Sequence, residues 1–168
     1  MSRALVNEPG GDQAEGDLPD LPQSDELNYI TPAGFEKLQV RYAVLFDRKK
    51  QLKDDKENLA AKTEVKQIEK DLRFVEQRLE RAVVVDPSEQ VGDKIRFGAR
   101  VIVIDEDDQK MEFTIAGEDE TCAPTRLISW TSPLGKALLR KRKGDLVYWE
   151  RPVGNVELEI ESFQYGET

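Results

Sequence analysis

The sequence contains no histidine and a single cysteine, Cys122, among its 168 residues. Without histidine the chain lacks the most common general base and the most common zinc ligand, which excludes Ser-His-Asp triads and histidine-containing zinc fingers. One cysteine cannot form an internal disulfide, and with no histidine beside it we expect an inert thiol. No apolar run approaches the length of a membrane span, and the first residues lack the basic-then-apolar order of a signal peptide. We therefore expect a cytoplasmic protein.

Acidic residues outnumber basic residues by 34 to 25, giving a net charge of −9 that is unevenly distributed. Residues 1–31 carry a net charge of −6, residues 32–82 carry +3, and residues 83–168 carry −6. The overall excess of acid argues against binding to free duplex and against sequence-specific DNA binding, because such affinity depends on neutralising phosphates. The basic middle segment has two interpretations. It could insert into an electronegative cavity, or its lysines and arginines could simply cover solvated helix faces.

Two ladders of mostly apolar residues, spaced alternately by three and four, face each other across a short charged segment. They are Phe35, Leu38, Tyr42, Leu45, Lys49 and Leu52 in the first ladder, and Val65, Ile68, Leu72, Val75, Leu79 and Ala82 in the second. This heptad spacing predicts two helices that bury one stripe each against the other, an antiparallel coiled-coil hairpin. The charged residues 53–58 then form its tip. With about twenty residues in each arm, the tip lies about 30 Å from the base.

The flanking segments divide the rest of the chain. Residues 1–28 are acidic and interrupted by glycine and proline, which predicts a disordered tail, and residues 29–83 form the hairpin, which Thr31 and Pro32 begin as N-cap and first helical residue. Residues 84–168 form a second unit. Its pattern changes to alternation, with strands near residues 100–104, 110–116, 127–130, 146–150 and 156–163, and a helix at residues 134–141 that Ser132 and Pro133 begin. The predicted class is α+β, an antiparallel sheet with one helix on a face.

Several ordered motifs resemble those of one bacterial family. The matching segments are Tyr-Ile-Thr-Pro-Ala-Gly-Phe-Glu-Lys-Leu at 29–38, Arg-Leu-Glu-Arg-Ala-Val-Val-Val-Asp at 78–86, Phe-Gly-Ala-Arg-Val at 97–101, Ser-Pro-Leu-Gly-Lys-Ala-Leu-Leu at 132–139, and Gly-Asp at 144–145. Together they resemble the GreA/GreB transcript cleavage factors. The resemblance implies a coiled-coil finger and a C-terminal domain of the FKBP-like fold. It also implies a monomer without enzymatic activity of its own, which docks at the rim of the RNA polymerase secondary channel and approaches the nascent RNA 3′ end only indirectly.

The resemblance assigns a role to two acids at the hairpin tip. In the family, an Asp-x-x-Glu-Asn segment helps to hold Mg²⁺ and a water at the catalytic centre of the polymerase, and Asp54, Glu57 and Asn58 reproduce that segment. Carboxylates are suitable ligands for Mg²⁺, which takes six oxygens, so the polymerase and the RNA must supply the others. We expect Asp54 and Glu57 to be catalytic and metal-binding only jointly with RNA polymerase. On sequence alone the simpler interpretation is that they are surface charges in helical ion pairs, Lys53 with Glu57 and Lys50 with Asp54.

A second assignment concerns docking. The family contacts polymerase through an Asp-Ser-Pro turn, and Thr131, Ser132 and Pro133 occupy the matching positions here, with threonine in place of the acid. The resemblance therefore implies that these three residues bind the partner. A Ser-Pro pair is also an ordinary way to begin a helix, and that purely structural interpretation stays open.

Departures from the family pattern leave the mode of action open. Leu59, Ala60 and Ala61 follow the tip where the family has Ala-Asp-Tyr, and the first arm is shorter than the family's. Residues 148–152, Tyr-Trp-Glu-Arg-Pro, are similar to the end of the regulator-of-nucleoside-diphosphate-kinase proteins, which lack the acidic tip. One alternative is therefore a secondary-channel competitor that does not stimulate cleavage. A second alternative is a prolyl isomerase or binding module, since an aromatic pocket on the FKBP-like fold can have that activity.

Overall fold

A computed structural model describes residues 20–55 and 57–166 of the chain. In that part of the chain the strands are β1 (Asn28–Ile30), β2 (Ala82–Val84), β3 (Arg100–Ile104), β4 (Lys110–Ala116), β5 (Leu127–Ser129), β6 (Leu146–Trp149) and β7 (Val156–Gln164). The α-helices are α1 (Pro32–Leu52), α2 (Leu59–Glu80) and α3 (Pro133–Leu138). The fold thus consists of a long helical hairpin, α1 and α2, followed by a sheet with one short helix, which confirms the predicted class. None of the described helices is both long enough and apolar enough to cross a bilayer.

The helical hairpin buries the faces that the heptad spacing predicts. Leu38 on α1 and Ile68, Leu72 and Val75 on α2 are each at most 8% exposed. The other ladder positions are half-buried. Lys49, the charged member of its ladder, forms an ion pair with Glu69 of the opposite helix at 2.7 Å. The aliphatic stem of a lysine can lie along an apolar stripe while its ammonium group reaches a carboxylate, which explains how it fits there.

A short parallel strand pair closes the base of the helical hairpin. β1 pairs with β2 in register, Asn28 opposite Ala82 and Ile30 opposite Val84. This pairing does not follow from the sequence pattern, because each strand has only three residues and the two lie on opposite sides of the hairpin. Ile30 is fully buried and packs with Leu38 and Val75. The strand pair therefore anchors the chain where it enters and leaves the hairpin.

The second unit is built on a mixed sheet with the strand order β5-β4-β3-β7-β6. Three of its pairings are antiparallel as predicted, but β5 runs parallel to β4, so the expectation of a purely antiparallel sheet was wrong at this edge. α3 ends at Leu138 and is therefore shorter than predicted. Arg140 adopts a positive φ of 67°, which is not a backbone conformation of a right-handed helix. The buried core between the sheet and α3 consists of Ile95, Phe97, Ala99, Val101, Val103, Phe113, Ile115, Leu134, Leu138, Val147, Leu158 and Ile160.

The predicted acidic tail lies mostly outside the described residues, which begin at Asp20. Residues 20–27 form no regular element but contact α2 and α3. Arg73 of α2 donates to Asp20 at 2.5 Å, and the Arg81 guanidinium donates to the Ser24 carbonyl at 3.1 Å. Lys136 of α3 forms an ion pair with Glu26 at 3.2 Å. This part of the acidic segment therefore lies against basic side chains of both units.

The start of α1 provides a first test of the hairpin. Thr31 Oγ1 accepts a hydrogen bond from the Gly34 N–H at 3.1 Å and donates to Glu120 of the second unit. Loss of an N-cap threonine costs about 1 kcal/mol. Thr31→Ala also removes the hydrogen bond to Glu120, so we expect it to lower the free energy of unfolding by about 1 to 2 kcal/mol in urea denaturation followed by circular dichroism.

Thr63→Ala is the matched control, since Thr63 is exposed within α2 and its hydroxyl donates only to the Leu59 carbonyl at 3.0 Å. Because alanine has the higher helix propensity, this substitution should raise the free energy of unfolding by about a few tenths of a kcal/mol. Equal effects of the two substitutions would contradict a capping role for Thr31.

Candidate functional site

The predicted acids lie at the tip of the helical hairpin. α1 ends at Leu52 and α2 begins at Leu59, so Asp54 and Glu57 both belong to the connection between the helices, and both are exposed. The Asp55 N–H donates to the Leu52 carbonyl at 3.2 Å, which continues the last turn of α1. The tip thus presents carboxylates to solvent at the end of a helical hairpin whose longer arm has 22 residues, or about 33 Å of helix.

Asn58 organises the other side of the tip. Its side-chain oxygen accepts from the N–H groups of Ala60 and Ala61 at 3.0 and 3.3 Å, making it the N-cap of α2. Its side-chain nitrogen donates to Asp55 at 3.0 Å. An ion pair between residues four apart on a helix needs both residues within that helix. Neither Asp54 nor Glu57 lies within α1 or α2, so this geometry does not apply to them.

The tip carries donors suited to Mg²⁺ but not a complete site. Carboxylate oxygens are hard ligands, and Asp54 and Glu57 could occupy two of six octahedral positions. Among the described residues, no group of three or more His, Cys, Asp or Glu side chains is arranged to hold a metal ion. The remaining positions around Mg²⁺ would have to be filled by ligands outside the described residues.

An ion pair joins the two arms below the tip. Arg48 of α1 donates from Nε and Nη2 to both carboxylate oxygens of Glu64 on α2, at 2.7 and 3.2 Å. The hydrogen bond from this guanidinium lowers the pKa of the Glu64 carboxyl. Bidentate contacts of this kind fix the relative position of two side chains more strictly than a single hydrogen bond. The pair therefore joins the two arms at exposed positions, where a single ion pair adds little to stability.

The predicted docking residues lie between β5 and α3. Ser132 is the N-cap of α3, with its Oγ accepting from the Gly135 N–H at 3.0 Å and donating to the Ser129 carbonyl at 2.6 Å. Thr131 donates through Oγ1 to Glu118 at 3.1 Å. Pro133 is exposed. We call residues 131–133 the docking turn. Its serine and threonine hydroxyls are used within the molecule, whereas the ring of Pro133 is available to a partner.

An open groove of about 410 Å³ lies beside the docking turn. Its lining is mainly apolar and includes Ile128, Pro133, Leu134 and Trp149. Cys122 also lines this groove, and its thiol pKa is lowered by a hydrogen bond with Thr125. The groove extends the surface on which the docking turn lies.

The structure also reveals a buried cation that the sequence analysis missed. Arg78 of α2 is 2% exposed, although its only earlier assignment was as the first residue of the motif at 78–86. Its Nε donates to Asp119 at 2.7 Å, and its Nη2 donates to Asn28 at 2.5 Å and to Glu118 at 3.2 Å. Asn28 in turn donates to the Arg78 carbonyl at 2.7 Å. This buried cluster fastens the helical hairpin to the second unit.

Glu120 provides a second fastening beside the first. Its carboxylate accepts from the Gly117 N–H at 2.8 Å and from the N–H and hydroxyl of Thr31. A side chain at Gly34 would collide with this carboxylate, and one at Gly117 would collide with the Tyr29 carbonyl. The acidic run 118–120 is the one sequence signal that could have indicated these contacts. It predicts a cation nearby, but not which one.

Comparisons with known proteins identify sequence relatives of this chain. Residues 89–165 match the family described as "Transcription elongation factor, GreA/GreB, C-term". The chain is 33% identical to transcription elongation factor GreB of Neisseria meningitidis serogroup B over 157 residues, covering 84% of this chain and 96% of the relative. It is 37% identical to GreA of Nautilia profundicola over 151 residues, covering 81% and 93%. Among solved structures, Gfh1 of Thermus thermophilus is 26% identical with a TM-score of 0.40, covering 83% of this chain and 99% of that one.

The sequence relatives support the elongation-factor interpretation and not the prolyl isomerase alternative. They are named transcription elongation factors, and the similarity covers most of both chains, helical hairpin included. The chain therefore belongs to the GreA/GreB family of transcription elongation factors.

Proposed function

We propose that this cytoplasmic protein acts as a monomer on core RNA polymerase, entering the secondary channel with the helical hairpin and stimulating cleavage of backtracked RNA. The observation that carries the proposal is the pair of exposed acids, Asp54 and Glu57, at the end of a hairpin whose base is fastened to the second unit. A fixed base allows binding at one surface to place a group about 30 Å away.

The charge distribution supports insertion. The segment 32–82 carries a net charge of +3 in a chain of −9. A basic arm on an acidic body is attracted to an electronegative cavity while the body is repelled, which favours entry by the hairpin.

The second unit supports docking at the rim of the channel. Pro133 and the apolar groove beside it provide a contact surface on the unit opposite the tip. Because the hydroxyls of Thr131 and Ser132 already have partners within the chain, we infer that contact at the docking turn uses the Pro133 ring and the backbone. Ser132 then acts by fixing the start of α3.

At the polymerase active centre, Asp54 and Glu57 would share the coordination of Mg²⁺, which when bound polarises the phosphate and activates water for hydrolysis. The carboxylates of this chain would hold and orient their neighbours there. Carboxylates in a connection between helices can adjust to a partner more readily than side chains within a helix.

One observation favours a second candidate, a competitor that occupies the channel without stimulating cleavage. Leu59 is 78% exposed directly after the tip, and Ala60 follows it. Neither side chain can donate or accept a hydrogen bond, so neither can support the orientation of the acids.

A cleavage assay on a backtracked elongation complex distinguishes the two candidates. We expect addition of the protein to accelerate shortening of the RNA at its 3′ end well above the rate of polymerase alone. The same samples should show comigration of the protein with polymerase and displacement by an established secondary-channel factor.

Comigration without acceleration would favour the competitor. Absence of a complex at low salt would contradict both candidates, since electrostatic attraction is strongest under those conditions.

A further inference from the structure

One carboxylate contacts both the docking turn and the helical hairpin. Oε1 of Glu118 accepts a hydrogen bond from the Thr131 hydroxyl at 3.1 Å, and Oε2 accepts one from Arg78 at 3.2 Å. Thr131 belongs to the surface proposed for docking, and Arg78 belongs to α2 near the base of the hairpin. Glu118 therefore lies between the two functional parts of the molecule.

The position of Arg78 depends on its contact with Glu118. The arginine side chain is 3% exposed, and a buried guanidinium depends on its carboxylate and carbonyl partners. Its other contacts are with Asp119 and Asn28, the first on the same turn as Glu118 and the second on β1. These contacts give a shift of the turn at residues 118–120 a direct route to the hairpin base.

The hydrogen bonds of Thr131 remain within the second unit. Its hydroxyl pairs with Ser129 at 2.7 Å, and its N–H donates to the Ser129 hydroxyl at 3.1 Å. Since Thr131 Oγ1 donates its proton to Glu118, it accepts from Ser129. Any influence of Thr131 on the direction of the hairpin has its hydrogen-bonded route through Glu118.

We propose that Glu118 is a positioning residue that ties the direction of the helical hairpin to the state of the docking turn. This inference rests on the proposed function for the identity of the partner at that turn. A partner that contacts the Pro133 ring and the backbone of the docking turn shifts Thr131, and the Glu118 carboxylate that accepts from its hydroxyl then moves together with Arg78. The hairpin amplifies the movement, since a rotation of about 10° at the base displaces a tip 30 Å away by about 5 Å.

The test measures the direction of the hairpin in the intact protein. Spin labels are attached at Leu59→Cys, near the tip, and at Val153→Cys, in the connection between β6 and β7, with Cys122→Ser removing the native thiol. Both labelled positions are more than three-quarters exposed. Electron–electron double resonance then gives the distribution of distances between the labels.

Thr131→Val is expected to shift or broaden this distribution by several ångströms, on the order of the 5 Å displacement above. Glu118→Gln should do the same, and the double variant should be no broader than Glu118→Gln alone, because both substitutions interrupt one route. A purely structural role for Glu118 would broaden the distribution in Glu118→Gln but not in Thr131→Val. An unchanged distribution in Thr131→Val, or additive effects in the double variant, would overturn the proposal.

Matched controls have the same chemistry elsewhere on the second unit. Thr125→Val removes a hydroxyl that donates to the Cys122 carbonyl at 3.3 Å, and Glu112→Gln removes a carboxylate that pairs with Arg100 at 3.6 Å across the exposed sheet face. Both should leave the distances unchanged. A shift in either control as large as that in Thr131→Val would also overturn the proposal.

Addition of core RNA polymerase separates this inference from the proposed function. Binding should shift the distances in the labelled parent but not in Glu118→Gln. If polymerase does not bind, the proposed function fails while the free-protein result for Thr131→Val still decides the coupling. If polymerase binds and the distances of the parent stay unchanged, the coupling is wrong and the proposed function stands.

Discussion

Replacing Asp54 by asparagine and Glu57 by glutamine together is expected to slow stimulated transcript cleavage by about a hundredfold. Both changes keep the size of the side chain and remove the charge that a metal ligand needs. Affinity for polymerase should stay near that of the unmodified protein, because the exposed tip is far from the docking turn. The measurement is single-turnover cleavage of a backtracked complex at saturating factor, with affinity determined separately by competition.

The matched control applies the same chemical changes elsewhere on the helical hairpin. Asp47→Asn and Glu36→Gln alter exposed acids of α1 outside the tip and remove the same total charge. Cleavage with this control pair should remain within a few-fold of the unmodified rate, since exposed charges on a helix contribute little individually. Equal rates for the tip variant and the control would eliminate the catalytic role of Asp54 and Glu57.

A change in affinity would have a different meaning. If the tip variant binds polymerase much more weakly, the acids contribute to insertion and not specifically to the chemistry. At saturating factor the cleavage rate no longer depends on affinity. A slower rate of the tip variant under that condition therefore reports on the cleavage reaction itself.

The sequence predicted the helical hairpin well because the relevant information is local. Spacing by three and four determines which face of each helix is apolar, and the buried residues Leu38, Ile68, Leu72 and Val75 all occupy predicted ladder positions. The caps could also be predicted, since Thr31 and Ser132 act within three residues of themselves. The positions of Asp54 and Glu57 in the connecting tip followed from the same spacing.

The contacts that hold the hairpin against the second unit could not be predicted from local spacing. Arg78 contacts residues 40 and 41 positions further along the chain, and no periodic pattern encodes so distant a partner. Within α2 it follows Val75 by three positions, so a helical wheel places it on the edge of the apolar stripe. There a basic residue normally extends to solvent, and its burial depends on the acidic turn that the fold brings to it.

The direction of β5 at the sheet edge could not be predicted for a related reason. Alternation along residues 127–129 indicates which side chains face the core, but parallel and antiparallel pairings show the same alternation. The direction of β5 is set by the connection through residues 117–126, whose turn also holds Glu118 and Glu120. The connection through residues 117–126 therefore sets the direction of β5 and also carries the carboxylates that contact the hairpin.

The largest stability effect is expected from Val75→Asp. Val75 is fully buried and packs with Ile30 and Leu38 at the base of the helical hairpin. An aspartate there removes apolar contacts and buries a carboxylate, which together cost about 3 to 5 kcal/mol. Val44→Asp is the matched control, because Val44 is 61% exposed on α1 and lies three and four positions from Arg41 and Arg48. Its cost should be a few tenths of a kcal/mol.

Two spectroscopic signals can follow the two units separately in the same urea titration. Both tryptophans of the chain, Trp130 and Trp149, lie in the second unit, so their fluorescence reports on the sheet and its surroundings. The helical signal in circular dichroism comes mainly from α1 and α2, which have 21 and 22 residues against 6 for α3.

We expect Val75→Asp to move the helical transition to much lower urea while the fluorescence transition moves less. The sheet and α3 have their own buried core, whereas the hairpin depends on Ile30, Leu38 and Val75. Coincident transitions in the variant would show that the two units unfold as one, in which case the contacts of Arg78 and Glu120 transmit the damage. Separate transitions would establish the hairpin as an element that can unfold while its docking unit remains intact.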